Sequence, residues 1–182
     1  MDEPAVAGTM VHNTLEFFRQ RYGAPHLEAA LGALPVADRE ALEVLPIGWA
    51  PLRALVRLYE QLSQRHDVSV EKLHSEAARW SAERTLSTIW RTLLRFTSDS
   101  ALVQRAPVIY GRTWSKGALS ARPLGAGRAE LVLSGWPDVP EFALRSLRIG
   151  IGTTLELAGR GEVRMTSDRT PDGAIFHASW RS

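Results

Sequence analysis

The sequence predicts an α+β fold, in which a helical N-terminal half packs on one face of an antiparallel sheet formed by the C-terminal half. Two observations carry this prediction. Apolar residues recur at helical spacing through residues 8–111, and from residue 112 onward short alternating runs are separated by glycine, which is typical of strands and hairpins. Helices and strands segregated in this way along a chain favour α+β over α/β. We therefore expect one domain over residues 1–182.

Glycine and proline delimit the first helices. Val11, Leu15 and Phe18 follow Gly8-Thr9 at helical spacing, and Gly23 is placed to end that helix. Pro25 suits the first turn of a second helix, because the missing N–H has no helical partner there. Further helices are predicted as a short turn near residues 38–40, at 52–62, from Ser69 to Trp80, at 81–96, and at 102–110, where Pro107 would kink or end the helix.

The second half of the chain changes to strand periodicity. Strands are predicted at residues 112–116, 118–124, 128–134, 162–167 and 174–180. A single long helix is predicted between them over residues 139–158, where apolar residues return to helical spacing. Turns at Gly125-Ala-Gly127 and Thr170-Pro-Asp-Gly173 connect neighbouring strands.

Composition excludes several classes of protein. The chain of 182 residues has 45% hydrophobic and 23% charged residues and no cysteine, which removes disulfides, thiolate catalysis and cysteine-based zinc sites. The acidic start MDEPAVAGTM has no apolar core of a signal peptide, and no run reaches the ~18 apolar residues of a spanning helix. A cytoplasmic protein without a membrane span is therefore expected. The formal charge of only +2 argues against nucleic acid as a partner.

No catalytic or metal-binding motif is present. The five histidines include no pair at the i, i+3 or i, i+4 spacing that places two imidazoles on one helix face, and no Gly-x-Ser-x-Gly elbow occurs. Gly125-Ala-Gly127 lacks the third glycine and the lysine of a phosphate-binding loop. We expect neither an enzyme nor a metal site. A lone axial histidine for haem has no spacing to detect, and His12 and His74 are its helical candidates.

Aromatic residues are the positive signal. The chain has six tryptophans, a residue type that fills cores and also lines pockets. Trp90 lies in the middle of the most apolar helix, and Tyr110 and Trp114 lie where the helices give way to the sheet. We predict that these three residues line a pocket. A basic group of Arg105, Arg112, Lys116 and Arg122 surrounds its entry and would contact an acidic head group or an acidic partner, with Arg112 as the binding residue. The alternative interpretations are ordinary core packing and a solvated rim.

Three segments resemble a known family. These are Gly8-Thr-Met-Val-His-Asn-Thr-Leu-Glu-Phe-Phe18, the stretch Ala82-Glu-Arg-Thr-Leu to Trp90, and Leu155-Glu-Leu-Ala-Gly159. They resemble a paralogous myxobacterial family of unknown function, which is similar to the four-vinyl-reductase domain. That superfamily includes haem nitric-oxide-binding sensors and TRAPP vesicle-tethering subunits. The closing run Asp172-Gly-Ala-Ile-Phe-His-Ala-Ser-Trp180 resembles the last strand of the four-vinyl-reductase domain, with Ala174 at the position of its cysteine.

The resemblance implies helices packed on an antiparallel sheet, dimerisation through the helical face and a hydrophobic cavity for an acyl chain or aromatic ligand. It carries over neither zinc nor haem, because the cysteine is replaced and no histidine matches a proximal ligand, so no cofactor is expected. Two functions follow as hypotheses. One is a sensory or scaffolding domain that binds an apolar small molecule and forms a homodimer or pairs with a paralogue. The other is a ligand-free protein-interaction scaffold with a filled core.

Overall fold

The computed structural model describes residues 3–85, 94 and 96–181. The helices are α1 (Gly8–Tyr22), α2 (Ala24–Gly32), α3 (Val36–Leu42), α4 (Leu52–His66), α5 (Val70–Thr85), α6 (Asp99–Val103), α7 (Ala106–Thr113) and α8 (Glu141–Leu157). The strands are β1 (Ala5–Ala7), β2 (Trp49–Pro51), β3 (Ala118–Pro123), β4 (Arg128–Ser134), β5 (Gly161–Thr170) and β6 (Gly173–Arg181). The predicted α+β class is confirmed, with a helical N-terminal half and an antiparallel sheet in the C-terminal half.

The chain divides into two compact units. Unit 1 contains the described residues up to 81 together with 113–116, and unit 2 contains the described residues of 82–112 and 117–181. In the described part of the chain, no helix is both long enough and apolar enough to cross a membrane.

Local signals in the sequence place most boundaries of the unit 1 helices. Gly23 has φ +85°, a conformation that favours glycine, and it separates α1 from α2, which has Pro25 in its first turn. The Ser69 hydroxyl accepts a hydrogen bond of 3.3 Å from the Lys72 backbone N–H, so Ser69 caps α5 as predicted. The predicted helix over residues 81–96 lies mostly outside the described residues.

The core of unit 1 follows from the amphipathic helices. Leu55, Leu58 and Leu62 recur on one face of α4 and are buried, as 3.6-residue periodicity requires. Phe18 of α1 meets Tyr59 of α4 edge to face, with ring centroids 5.1 Å apart. Burial of these large apolar side chains is the main stabilising contribution to the helical unit.

A small sheet in unit 1 was not predicted. Strands β1 and β2 pair antiparallel, and Val6 of β1 also forms a bridge with Trp114. Ala5 donates its N–H to the Ser115 hydroxyl at 2.8 Å and accepts the Ser115 N–H at 3.0 Å. The predicted strand at residues 112–116 is therefore wrong. Its first two residues end α7, and Trp114 uses its backbone to pair with β1 instead of entering the larger sheet.

The sheet of unit 2 has the strand order β3-β4-β6-β5, with all neighbours antiparallel. Leu131 of β4 lies opposite Phe176 of β6, and both are buried, while the neighbouring Glu130 and His177 point to the other, more exposed face. Helix α8 packs against β5, where Gly152 faces the Met165 side chain. The predicted hairpins and the long helix are confirmed.

The stretch predicted as one helix over residues 102–110 is two helices. Helix α6 ends at Val103 and α7 begins at Ala106, so Pro107 occupies the first turn of α7. A proline in that turn sacrifices no helical hydrogen bond, because the first N–H groups of a helix have no partner within it. The break itself agrees with the expectation that Pro107 interrupts the segment.

A charged cluster, defined by Arg160, Asp99 and Trp180, fixes the segment before α6 in unit 2. The Arg160 guanidinium is 10% exposed and contacts Asp99 Oδ1 at 2.8 and 2.9 Å, and the Trp180 indole N–H donates to Asp99 Oδ2 at 3.0 Å. Arg160 also donates to the carbonyl oxygens of Leu94, Thr97 and Ala158. Because arginine offers five donors in a planar fork, one side chain can satisfy all of these acceptors.

We expect Arg160→Gln to lower the free energy of unfolding by about 3 kcal/mol, because it leaves the Asp99 carboxylate and several carbonyls without a charged donor. The matched control is Arg181→Gln, which removes an ion pair with Glu162 whose side chains are 74% and 62% exposed. That pair should contribute almost nothing. Urea denaturation of both variants measures the difference, and equal losses would contradict the role given to Arg160.

Candidate functional site

The structure places the predicted site residues in different parts of the fold. Tyr110 is buried in α7 of unit 2, at 3% exposed, and Trp114 is buried in unit 1, at 4% exposed. Arg112 is exposed near the end of α7. Trp90 lies outside the described residues. A pocket shared by these residues stays a prediction. Of the four, only Tyr110 belongs to the site described next.

Tyr110 lies against the β3–β4 end of the sheet in unit 2. Gly117, which begins the β3 segment, has φ +77°, and a Cβ placed there would lie 3.1 Å from the Tyr110 hydroxyl oxygen and 3.0 Å from Leu133 Cδ1. Glycine at position 117 thus provides the space that the tyrosine side chain occupies.

 The buried face of the sheet in unit 2 presents Leu119, Leu131, Leu133 and Phe176, which are at most 8% exposed. Helix α6 packs against β3 and contributes Leu102 and Val103, both 6% exposed. We call this set of side chains, together with Tyr110, the Tyr110 layer.

The Tyr110 layer is apolar apart from one hydroxyl group. Burial raises the pKa of Tyr110 well above its usual value, because the phenolate would lose its hydration there. Tyr110 is therefore a neutral hydroxyl over the whole physiological pH range. Such a layer can hold an apolar molecule or close on itself, and the neutral phenol is not a base for proton transfer.

The basic residues near this layer do not form one group of free cations. Arg105 and Arg112 are exposed on unit 2. Arg122 instead pairs with Glu130 across β3 and β4, at 2.7 Å, with 69% of its own side chain exposed. Arg122 therefore has an acidic partner of its own, and contact between Arg112 and an acidic head group stays a prediction.

A buried polar chain in unit 1 was missed by sequence reasoning. Thr14, Tyr59 and His74 are 5%, 2% and 2% exposed, and they lie on α1, α4 and α5. The His74 ring meets Tyr59 edge to face at 5.4 Å. Burial raises the pKa of Tyr59, while a hydrogen bond with the Thr14 side chain acts in the opposite direction. Each residue sits on an otherwise apolar helix face, which was the available signal.

A second aromatic group in unit 1 joins Tyr22, His26 and His66. The rings of Tyr22 and His66 stack with centroids 3.7 Å apart and an interplanar angle of 8°, and the His26 ring lies 5.1 Å from His66. Burial lowers the pKa of His66, and the charges of His26, Arg65 and Arg21 lower it further. The group therefore favours a neutral His66.

Across the described ranges, no three side chains of histidine, cysteine, aspartate or glutamate come together as a metal site. The polar clusters above are built from aromatic rings, hydroxyls and single ion pairs. Nothing in their geometry pairs a nucleophile with a base.

Solved structures with the same fold are H-NOX proteins. The Fe(II) unliganded H-NOX protein of K. algicida has a TM-score of 0.69 and 14% identity, and the match covers 97% of both chains. An oxygen-binding H-NOX domain related to soluble guanylate cyclases has a TM-score of 0.65 and 12% identity over 96% of this chain and 95% of that one. A structure from a study of haem distortion in the H-NOX family has a TM-score of 0.67 and 13% identity over 96% and 95%.

At these identities the likeness establishes the fold and not the activity. No family model matches the chain, and no curated protein matches it. The likeness to H-NOX structures thus agrees with the fold that the predicted resemblance implies. The resemblances to the myxobacterial family and to the four-vinyl-reductase domain remain predictions.

We expect the free energy of unfolding to decrease as the pH falls below about 6.5, the ordinary pKa of histidine. Because the folded state lowers the pKa of His66, the unfolded chain binds a proton more readily in this range, and acid favours unfolding. The variant His66→Phe should flatten this part of the profile, whereas His177→Gln, on the exposed sheet face, should not. Denaturant titrations at several pH values measure the slope, and an unchanged slope in His66→Phe would count against the assignment.

Proposed function

We propose that this chain is a non-catalytic sensory or scaffolding domain of the cytoplasm that binds an apolar small molecule and forms a dimer. The ligand class is an acyl chain or an aromatic molecule. The single observation that carries the proposal is the Tyr110 layer, in which α6 packs against β3 and the neutral Tyr110 hydroxyl of α7 lies beside Gly117, near Leu133. A layer of this composition suits an apolar ligand with at most one polar group.

The comparisons support a sensory role by analogy of fold. One neighbour is an oxygen-binding H-NOX domain related to soluble guanylate cyclases, so the fold serves small-ligand binding in that protein. Since one fold hosts many functions, the ligand must be argued from side chains of this chain. The predicted kinship with four-vinyl-reductase and TRAPP-like domains favours the same class of apolar ligand.

The alternative function is a ligand-free interaction scaffold, and the packing of the Tyr110 layer favours it. Leu131, Leu133 and Phe176 are 2%, 1% and 0% exposed, which is expected of a filled core as well as of a closed pocket. In that case the activity would reside in exposed surfaces, through a second copy of the chain or a paralogue.

Native mass spectrometry and thermal shifts distinguish these two functions. We expect purified protein to retain an apolar adduct, and long-chain fatty acids or phenols to raise its melting temperature, since a ligand that binds only the folded state stabilises it. Tyr110→Ala should weaken this binding about tenfold or more, a difference of about 1.4 kcal/mol. Val108→Ala, on the 58% exposed side of the same helix, is the matched control.

A clean apo mass together with no thermal shift for any of these ligands would contradict ligand binding and favour the scaffold. Equal effects of Tyr110→Ala and Val108→Ala would place any observed ligand elsewhere. Circular dichroism of both variants checks that each remains folded.

An exposed apolar turn in unit 1 supports the proposed dimer. Leu45 and Ile47 are 69% and 91% exposed, and Trp49 beside them is 39% exposed. The turn is held in place, since Gly48 donates its N–H to Leu45 O and accepts the Gly8 N–H, both at 2.8 Å. Apolar side chains on an ordered turn are typical of an interface, because their exposure has no benefit for an isolated chain.

We expect wild-type protein to have the mass of a dimer by size-exclusion light scattering and Ile47→Glu to shift it toward the monomer, because the charge would be buried without a partner. Leu124→Glu is the control, at a residue of unit 2 that is 42% exposed. A monomeric wild type, or a dimer unaffected by Ile47→Glu, would contradict an interface at this turn.

A further inference from the structure

One of the structures with a similar fold comes from a study of haem distortion in the H-NOX family. Whether the side chains of this chain could hold haem iron is therefore a specific question. Haem iron is held by a proximal histidine, a cysteine thiolate or a tyrosine, and methionine serves beside a histidine. This chain has no cysteine, five histidines and three tyrosines, and all eight of these residues lie in the described part of the chain. Every histidine or tyrosine that could bind haem iron therefore has a described position.

Three histidines lie at the surface. His12 Nε2 is 2.7 Å from the Val44 carbonyl oxygen, so this nitrogen carries the proton and is not a free ligand atom. His26 is exposed in the first turn of α2. His177 lies on the exposed face of the sheet, with Nε2 3.9 Å from an Asp168 oxygen. All three side chains are exposed, so within the described part of the chain none lies in an interior that could enclose a porphyrin.

His66 is half-buried, and its Nε2 atom, which would have to bind iron, is not accessible. Nε2 is buried, and the ring is stacked on Tyr22 at 3.7 Å. The charges of His26, Arg65 and Arg21 already disfavour a cation at this ring. An iron ion at Nε2 would need access to a buried atom and would add positive charge among three cationic or protonatable neighbours.

His74 is the histidine that belongs to a core. It is 2% exposed and meets Tyr59 edge to face, beside Leu58, Leu73 and Ala77, which are all 0% exposed. Close packing on this side leaves no flat face for a macrocycle without rearrangement of α4 and α5. The imidazole acts instead as one member of the polar chain with Tyr59 and Thr14.

The hydroxyl groups of the three tyrosines are also buried or hydrogen-bonded. The Tyr22 hydroxyl is buried beneath the His66 stack, and Tyr59 hydrogen-bonds with Thr14. Tyr110 Oη lies against Gly117, and burial raises the pKa of this phenol. A tyrosine that ligates iron does so as the phenolate, which burial disfavours in both Tyr59 and Tyr110.

These residues do not fit haem. We infer that this chain uses the fold without haem, and that His74 is a packing residue of the helical unit and not an axial ligand. Provided that the proposed ligand function holds, the molecule bound in the Tyr110 layer contains no iron. A sensor of this kind would respond to an organic molecule and not to a diatomic gas at an iron centre.

Hemin titration tests the inference directly. One equivalent of hemin is added to the full-length protein, and protein is also expressed with 5-aminolevulinic acid to supply haem in the cell. We expect no stoichiometric Soret band beyond the spectrum of free hemin, no reduced-state shift with carbon monoxide, and no colour in the expressed protein. Weak absorbance below one equivalent, equal in wild type, His74→Asn and His177→Ala, is surface adsorption and agrees with the inference.

A stoichiometric Soret band would overturn it. Loss of that band in His74→Asn but not in His177→Ala would identify His74 as the ligand, and retention in both variants would mean another ligand. Circular dichroism confirms the fold of each variant, and His74→Gln serves as a second replacement if His74→Asn does not fold. The fatty-acid and phenol thermal shifts are measured on the same samples, so that failure of apolar binding and failure of the haem inference are separate results.

Discussion

The structure of unit 2 depends on one buried guanidinium. Arg160 joins Asp99, which is 61 residues away in sequence, and Asp99 in turn holds the Trp180 indole across 81 residues. These bonds fix the segment that leads into α6, which itself packs against β3 and contributes two side chains to the Tyr110 layer. The cost of removing arginine from water is offset by its several acceptors, so the cluster is stabilising only as a whole. The geometry around Tyr110 therefore rests on a charge that lies outside the layer.

The sequence predicts those elements whose cause is local. Gly23, Pro25 and Ser69 act within one turn of a helix, and the alternation in β4 is repeated every two residues. Strands β1 and β2 have only three residues each, too few for a period to be read, and they form because they pair with each other and with Trp114. The assignment of Trp114 to the larger sheet failed for this reason: its partner lies more than a hundred residues earlier in the chain.

The candidate site was harder to predict than the fold. Tyr110 was predicted as a site residue because it is an aromatic residue at the change from helix to strand. It is buried beside Gly117. The polar chain of Thr14, Tyr59 and His74 could not be derived, because it joins three helices through side-chain contacts that no spacing in the sequence encodes. Arg122 was grouped with free cations, but the strand register places it opposite Glu130.

The match to H-NOX structures at 10–14% identity shows which features a fold preserves and which it leaves open. Apolar periodicity and strand order are sufficient to specify the architecture, because any side chain of suitable volume can fill a core position. A cofactor instead requires a particular atom, with its lone pair open, at one place. In this chain the imidazoles and phenols are exposed or lie in ring contacts and close packing, and from this we infer that the architecture is retained without haem. In the proposed function, the Tyr110 layer offers an organic molecule apolar contact area and a single hydroxyl.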